Sequence, residues 1–310
     1  MKIYVKRFFY KGKSIMASRH EQEERYQRII ENIQRLPSLP EIATKLLDVV
    51  NSPHTSADDA ASLIEKDPGL TTTVLRMANS AFYGMPRSVS SVSSAVVILG
   101  FNTIRSIVLS ASLMKIFSGR DAIRGFDHVR FWRHSIMCAL GAKLIARRCI
   151  NTLTLDPESA FCAGILHDIG RLIFGQYVTA EFGSACRLAV EEKMPLVDAE
   201  KKVLGITHAD IGAMLADKWA LPLDLENALV YHHNPANADK SLPFVTAVHC
   251  ADQMAHKAGA NLWEKEESPP AWEGVYETLG FGDEDFYRVF EELEKGGDKP
   301  DEFLALINYG

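Results

Sequence analysis

Phe161-Cys-Ala-Gly-Ile-Leu-His-Asp-Ile-Gly-Arg171 is the run on which the reading of this chain turns. A helix opened by Asp156-Pro157-Glu158 ends in the dipeptide His167-Asp168, an adjacent imidazole and carboxylate that can each bind the same metal ion. A buried helix can also close on a histidine that hydrogen-bonds a carbonyl and an aspartate that caps the next turn, so the dipeptide alone leaves both readings open. Other candidates accompany it in chain order. His134 lies upstream in Phe131-Trp-Arg-His-Ser-Ile-Met137, and downstream come His208, the pair His232-His233, and Asp252 in Ala247-Val-His-Cys-Ala-Asp-Gln253. Imidazole nitrogens and carboxylate oxygens suit one or two divalent transition-metal ions, namely Fe, Mn, Ni, Co or Zn, and no cysteine among them biases the set toward a zinc-thiolate cluster.

Outward from that run, almost every segment carries the helical period and no β-branched run alternates over a strand length, which predicts an all-α fold. Ile29, Ile30 and Ile33 form a stripe. Ser38 with Glu41 matches a capping box for a helix whose core face is Ile42, Leu46 and Val49. Ser56 with Asp58 and Asp59 starts the next helix, which ends near Lys66, and Asp67-Pro68-Gly69 starts another. A short helix over Val96 to Leu99 stops at Gly100, and Asn102 is expected to cap a longer one through about Phe117. Ser118-Gly-Arg-Asp121 is a turn-like break, and Asp127 then begins the long helix carrying His134. The chain thus divides into an arm over 1–20, a first helical lobe over 21–118, a second lobe over 119–262 holding every candidate ligand, and a C-terminal helical appendage over 263–310.

Composition narrows the function classes. With 310 residues, 47% of them hydrophobic, the chain has ample material for a buried core. A formal net charge of -6 and a pI near 5.9 argue against nucleic acid as a partner, because phosphate contacts dominate that affinity. Five scattered cysteines, odd in number and in apolar helical patterns, read as reduced core thiols in the cytosol. Arg105, Lys143 and Arg171 interrupt the richest apolar stretches, so no membrane span is expected. The basic, aromatic residues before Met16 lack a signal peptide's apolar core and read as a loose arm or as a start placed too early. No arrangement resembles a serine or cysteine nucleophile with its base, a dinucleotide-binding glycine loop or a P-loop.

Leu36-Pro-Ser-Leu-Pro-Glu-Ile-Ala43, Leu63-Ile-Glu-Lys-Asp-Pro-Gly-Leu70, Leu75-Arg-Met-Ala-Asn-Ser-Ala-Phe-Tyr-Gly84 and Leu99-Gly-Phe101 closely resemble the signature of HDOD domains, the HD-related output domains of bacterial signalling proteins. The resemblance spans roughly Leu36 to Asp252. It implies an N-terminal helical bundle packed on a lobe related to the HD phosphohydrolases. Those enzymes use the order His, His-Asp, Asp, reproduced here by His134, His167, Asp168 and Asp252. In the related HD-GYP phosphodiesterases further histidines hold a second metal, and His208, His232 and His233 fall in corresponding order. By that resemblance one ion takes His134, His167, Asp168 and Asp252, and Asp168 bridges to a second on His208, His232 and His233.

The chain also departs from those enzymes. Their extended Gly-Tyr-Pro motif is replaced by His233-Asn-Pro-Ala-Asn-Ala-Asp-Lys240, so cyclic-dinucleotide specificity is not implied. The lysine common after their His-Asp-Ile-Gly run is Arg171, which keeps the charge but changes reach and fork geometry. The expected function is a cytoplasmic signalling output protein acting on a protein partner or a small phosphorylated ligand. The alternative is a metal-dependent phosphohydrolase, in which Asp168 and Arg171 serve catalysis. His249, one turn before Asp252, reads as a supporting or core residue. His20, His54, His128 and His256 read as surface or helix-end residues, and Trp132 and Trp219 as core anchors.

Overall fold

Short polar residues punctuate the helices. In a computed structural model of the chain, residues 37–50, 56–84, 88–117, 126–149, 152–263 and 266–308 are described, and every regular element among them is helical. The residues before Met16, the stripe Ile29, Ile30 and Ile33, and the turn Ser118 to Asp121 lie outside the described residues. Helix α1 (Glu41–Val50) opens after Pro40, whose carbonyl accepts the Thr44 N–H, so the helix starts two residues later than a Ser38 cap would require. Ser56 and Asp59 form a capping box on α2 (Ala57–Ile64), and Asp67 caps α3 (Pro68–Ala78) through the N–H groups of Gly69 and Leu70.

Helix α4 begins four residues before the expected Val96, at Val92, because the Ser91 side chain accepts the Ser94 N–H there; it spans Val92–Leu99. Gly100 then ends α4 and starts α5 (Phe101–Ile116). Asn102 is therefore inside the helix rather than its cap, and its side-chain amide donates to Asp156 at 3.3 Å. Helix α5 is buried almost all round, from Thr103 to Met114, as befits a helix at the centre of a bundle. It joins the first lobe to the second. Arg105 donates to Ser159 Oγ at 2.8 Å, and the Ser106 hydroxyl to the Glu158 carbonyl at 3.2 Å.

The second lobe is built on α6 (His128–Arg148), capped by Asp127, against which α7 (Pro157–Leu166) packs. The approach is close because of Gly164, where a Cβ would lie 2.4 Å from the Ala139 Cα. Helices α8 (Ile169–Tyr177), α9 (Thr179–Glu192), α10 (Leu196–Leu204), α11 (His208–Trp219) and α12 (Leu223–Tyr231) follow, α9 packing on α8 and α10, and α11 on α8 and α12. Two 3-10 turns lead to α13 (Leu242–Lys257), which returns to lie along α6 and α7. Trp132 and Trp219 are buried, and the Trp219 indole donates to the Pro37 carbonyl at 2.9 Å.

Beyond Asn261 the chain continues through α14 (Val275–Leu279), α15 (Asp283–Lys295) and α16 (Lys299–Asn308). Helix α16 packs on α3, α5 and α6 together, so it touches both lobes. Phe303, fully buried, meets Phe82 at 5.2 Å and Phe161 at 5.8 Å between ring centroids. Glu302 accepts the Phe82 N–H, Arg76 donates to the Ala305 carbonyl, and Asp301 pairs with Arg133. Among the described residues no single helix is long and apolar enough to cross a membrane. Helices α4 and α5 reach that length only together, across a bend of 119°.

Candidate metal centre

The His167-Asp168 dipeptide sits where one helix stops and the next starts: His167 is the C-cap of α7 and Asp168 the N-cap position of α8. His167 makes the local contact that a purely structural histidine would make, its Nδ1–H donating to the Gly164 carbonyl at 2.8 Å. Asp168, by contrast, makes no capping bond. Both side chains point into the lobe and are at most 1% exposed.

Four further elements converge on them. Helix α6 supplies His134, α13 supplies Asp252, and the neighbouring ends of α11 and α12 supply His208, His232 and His233. Gly170 allows α8 to meet α11 closely, since a Cβ there would lie 2.1 Å from the His208 carbonyl oxygen. His134 Nε2 lies 3.1 Å from Asp252 Oδ1 and 3.9 Å from Asp168 Oδ2, and His167 Nε2 lies 3.5 Å from Asp168 Oδ2. On the other side, His208 Nε2 is 3.0 Å from Asp168 Oδ1, 3.1 Å from His232 Nε2 and 3.0 Å from His233 Nε2. All seven residues that sequence nominated as metal ligands are thus brought together, with the two oxygens of Asp168 facing opposite groups.

The tautomers are legible from the partners. A carbonyl or carboxylate oxygen only accepts, so a neutral ring that hydrogen-bonds one through Nδ1 must carry its proton there and leave Nε2 a lone pair. His134 donates from Nδ1 to the Ala260 carbonyl at 2.7 Å, His232 to the Ala228 carbonyl at 2.9 Å, and His208 to Glu200 Oε2 at 2.6 Å. With His167, four rings therefore present Nε2 inward, toward one another and toward carboxylate oxygens. The buried His134 Nε2, His167 Nε2, Asp168 Oδ1 and Asp252 Oδ2 have no directed hydrogen bond. When the rings are neutral these are lone pairs gathered without donors, which a cation would satisfy. Three overlapping groups meet that description: Asp168 with His208, His232 and His233; His134 with His167 and Asp168; and His134 with Asp252 and His256.

Charge follows the same division. Burial opposes protonation of His134 and His208, yet the carboxylates win: Asp252, Asp168 and Glu266 raise His134 to about 9, and Glu200 and Asp168 raise His208 to about 9. Burial, with His167 and His208 nearby, lowers His232 to about 3, and His233 and His167 are lowered too. Burial would raise both aspartates, but neighbouring cations and imidazoles hold them well below the usual carboxylate range, led by Arg171 for Asp168 and His256 for Asp252.

Arg171 is not exposed in an anion pocket. It is 3% exposed, its Nη1 donates to Asp168 Oδ2 and its Nε to Glu200 Oε1 at 3.3 Å. Its fork is therefore committed to the centre's own carboxylates. His249 is excluded from the ligand group, because Nδ1 donates to the His232 carbonyl at 2.7 Å and Nε2 accepts the Trp272 N–H at 3.0 Å.

Two residues escaped the sequence reading. Glu200, fully buried on α10, lies midway between Leu196 and Leu204 at helical spacing, and that placement of a carboxylate on the core face was the available signal. His256 is at a helix end as expected but not on the surface: its side chain is 7% exposed and its Nε2 lies 3.5 Å from Asp252 Oδ1. Its signal was the four-residue step from Asp252, which puts both on one helix face.

The HDOD domain model matches residues 36–235, and the chain belongs to the HDOD family. Among solved structures, an HDOD domain protein of unknown function from Geobacter sulfurreducens is 27% identical, with a TM-score of 0.74 over 93% of this chain and 98% of that one. A candidate signal transduction protein from Marinobacter aquaeolei VT8 is 25% identical, TM-score 0.77, over 93% and 66%. A candidate phosphohydrolase from Shewanella amazonensis SB2B is 28% identical, TM-score 0.69, over 90% and 98%. The chain spans 41% and 18% of the lengths of two curated relatives it matches. The fold is an N-terminal helical bundle packed on an HD-type lobe, and its His/Asp cluster suits a metal of unspecified identity.

Proposed function

We propose that this chain is a cytoplasmic signal-transduction output protein in which the second lobe holds one or two divalent transition-metal ions and the assembly acts by binding a protein partner or a small phosphorylated ligand. The observation that carries the metal reading is the common tautomer of His134, His167, His208 and His232, each fixed through Nδ1 with Nε2 facing inward. In this reading Asp168 lies between the two groups, one oxygen for each, and Asp252 and His233 complete them. The candidate signal transduction protein from Marinobacter supports the signalling role by likeness. Burial of the centre favours binding over turnover, because His134, His167, Asp168, His208, His232 and Asp252 are all at most 1% exposed.

A second reading, metal-dependent phosphoester hydrolysis, draws on the bridging placement of Asp168 and on the Shewanella relative. Two ions would supply Lewis acidity and an activated water there. Asp168 would orient both ions, and Arg171 would hold Asp168 rather than the phosphate.

One experiment separates the readings. Elemental analysis of wild type beside Asp168→Ala, followed by a phosphoester panel on the loaded wild type, should give about one or two ions per chain, lost in the variant, and no hydrolysis. Hydrolysis abolished by Asp168→Ala would establish the second reading, and a metal-free wild type would remove the metal from both.

A further inference from the structure

The turn that follows α13 fixes two rings at once. Ala260 offers its carbonyl to His134 Nδ1 at 2.7 Å, and Asn261 offers its side-chain oxygen to His256 Nδ1 at 2.8 Å. Both rings are thereby held as Nδ1–H tautomers when neutral, and both aim Nε2 at the same atom, Asp252 Oδ1, from 3.1 Å and 3.5 Å. With both rings neutral, two nitrogen lone pairs and a carboxylate oxygen converge on one point. The fully buried His134 Nε2 and the Asp252 Oδ2 make no directed hydrogen bond. Such an arrangement is repulsive unless a positive charge is shared among the three.

The support is rigid. Asp252 and His256 are one turn apart on α13, and the following turn is tied back by the Gly259 N–H on the His256 carbonyl and the Ala260 N–H on the Ala255 carbonyl, each at 3.0 Å. Glu266, whose side chain is 1% exposed, accepts the Leu262 N–H and lies 3.9 Å from His256 Nδ1, adding negative charge behind the ring. The nitrogen of His134 belongs to two triads, one with His167 and Asp168 and one with Asp252 and His256. A single lone pair serves one ion, so these triads are two flanks of one position.

We propose that His256 is the outer ligand of the ion held by His134, beyond the His, His-Asp, Asp set that the resemblance implies. The proposal rests on the metal-centre reading above. It makes the last turn of α13 part of the site and explains why the His256 ring at that helix end is turned into the core. His134, Asp252 and His256 offer two imidazole nitrogens and a carboxylate oxygen, a set for a borderline divalent ion such as Zn, Fe, Co or Mn.

The test is equilibrium dialysis of the metal-stripped full chain against Zn or Mn ions, with elemental analysis, for wild type, His256→Ala and Asn261→Ala. Loss of one equivalent, or a weakening of about 10-fold or more at one site, is expected for His256→Ala with the remaining ion unchanged. Wild-type stoichiometry and affinity in a folded His256→Ala overturn the proposal and leave the metal centre standing. A wild type that takes up no ion overturns both. If His256→Ala does not fold, Asn261→Ala decides: it frees the ring without deleting it, and a several-fold weaker site is expected, whereas unchanged affinity overturns the proposal.

Discussion

Glu200 accepts twice from one residue: Oε2 takes the His208 backbone N–H at 2.8 Å and the His208 Nδ1–H at 2.6 Å, while Oε1 faces Arg171 Nε at 3.3 Å. Since Arg171 also holds Asp168 and His208 Nε2 stands 3.0 Å from Asp168 Oδ1, the four side chains close a buried ring. Glu200→Gln should keep the packing but loosen His208, weakening the ion beside it by about 10- to 100-fold. Glu200→Ala leaves Arg171 short of a partner in the core and should cost about 3–5 kcal/mol as well. Metal titration and denaturant unfolding, done on the same preparations, measure the two effects separately.

Gly170 is the contact point of α8 with α11. A methyl group there would stand 2.1 Å from the His208 carbonyl oxygen, which is backbone and cannot rotate away. Gly170→Ala should therefore destabilise by more than the ~1–3 kcal/mol usual for overpacking and should separate Asp168 from His208, lowering metal uptake in the fraction that still folds. Urea unfolding with and without added metal checks this; a variant as stable as wild type would contradict the close approach.

The pH dependence has a defined sign. His134 and His208, raised to about 9, stabilise the metal-free fold fully below the unfolded value near 6.5, and that contribution is lost as pH rises toward 9. His232, lowered to about 3, and the lowered His167 and His233 act oppositely: their contribution is present above the unfolded value and lost as pH falls. With chelator present, Tm should peak near pH 6.5 and fall toward 9. Metal competes with the protons on His134 and His208, so apparent affinity should climb over the same interval and uptake should release protons to the buffer.

All five cysteines, Cys138, Cys149, Cys162, Cys186 and Cys250, are buried and unpaired. Burial raises each thiol above its ordinary value, to about 11 for Cys149 and about 12 for Cys186. Alkylation of the native protein at pH 8 should be slow at every one, and intact-mass analysis in denaturant should show five adducts.

Much of this was legible in the sequence for a physical reason. Capping is local chemistry, so Ser56, Asp67, Asp127 and Asp156 announced their helices. Asn102 misled because Gly100 had already taken both helix ends, a matter of backbone geometry rather than residue preference. The seven nominated residues meet in space, whereas Glu200 and His256 were passed over because a helix-borne acid or imidazole is usually solvated, and only the tertiary packing of α10 and α13 turns these two inward. The phosphohydrolase alternative gave Arg171 a catalytic role. Its reach instead ends on Asp168 and Glu200, because those buried carboxylates need a counter-charge within the lobe.

Helix α16 carries a consequence for synthesis. The bonds from Glu302 to Phe82 and from Arg76 to Ala305 join positions 220 and 229 residues apart, and Phe303 fills the gap between Phe82 and Phe161. While the ribosome is still making the second lobe, the Phe82 ring has no such cover. The first lobe completes its packing against α16 only once nearly the whole described chain has emerged.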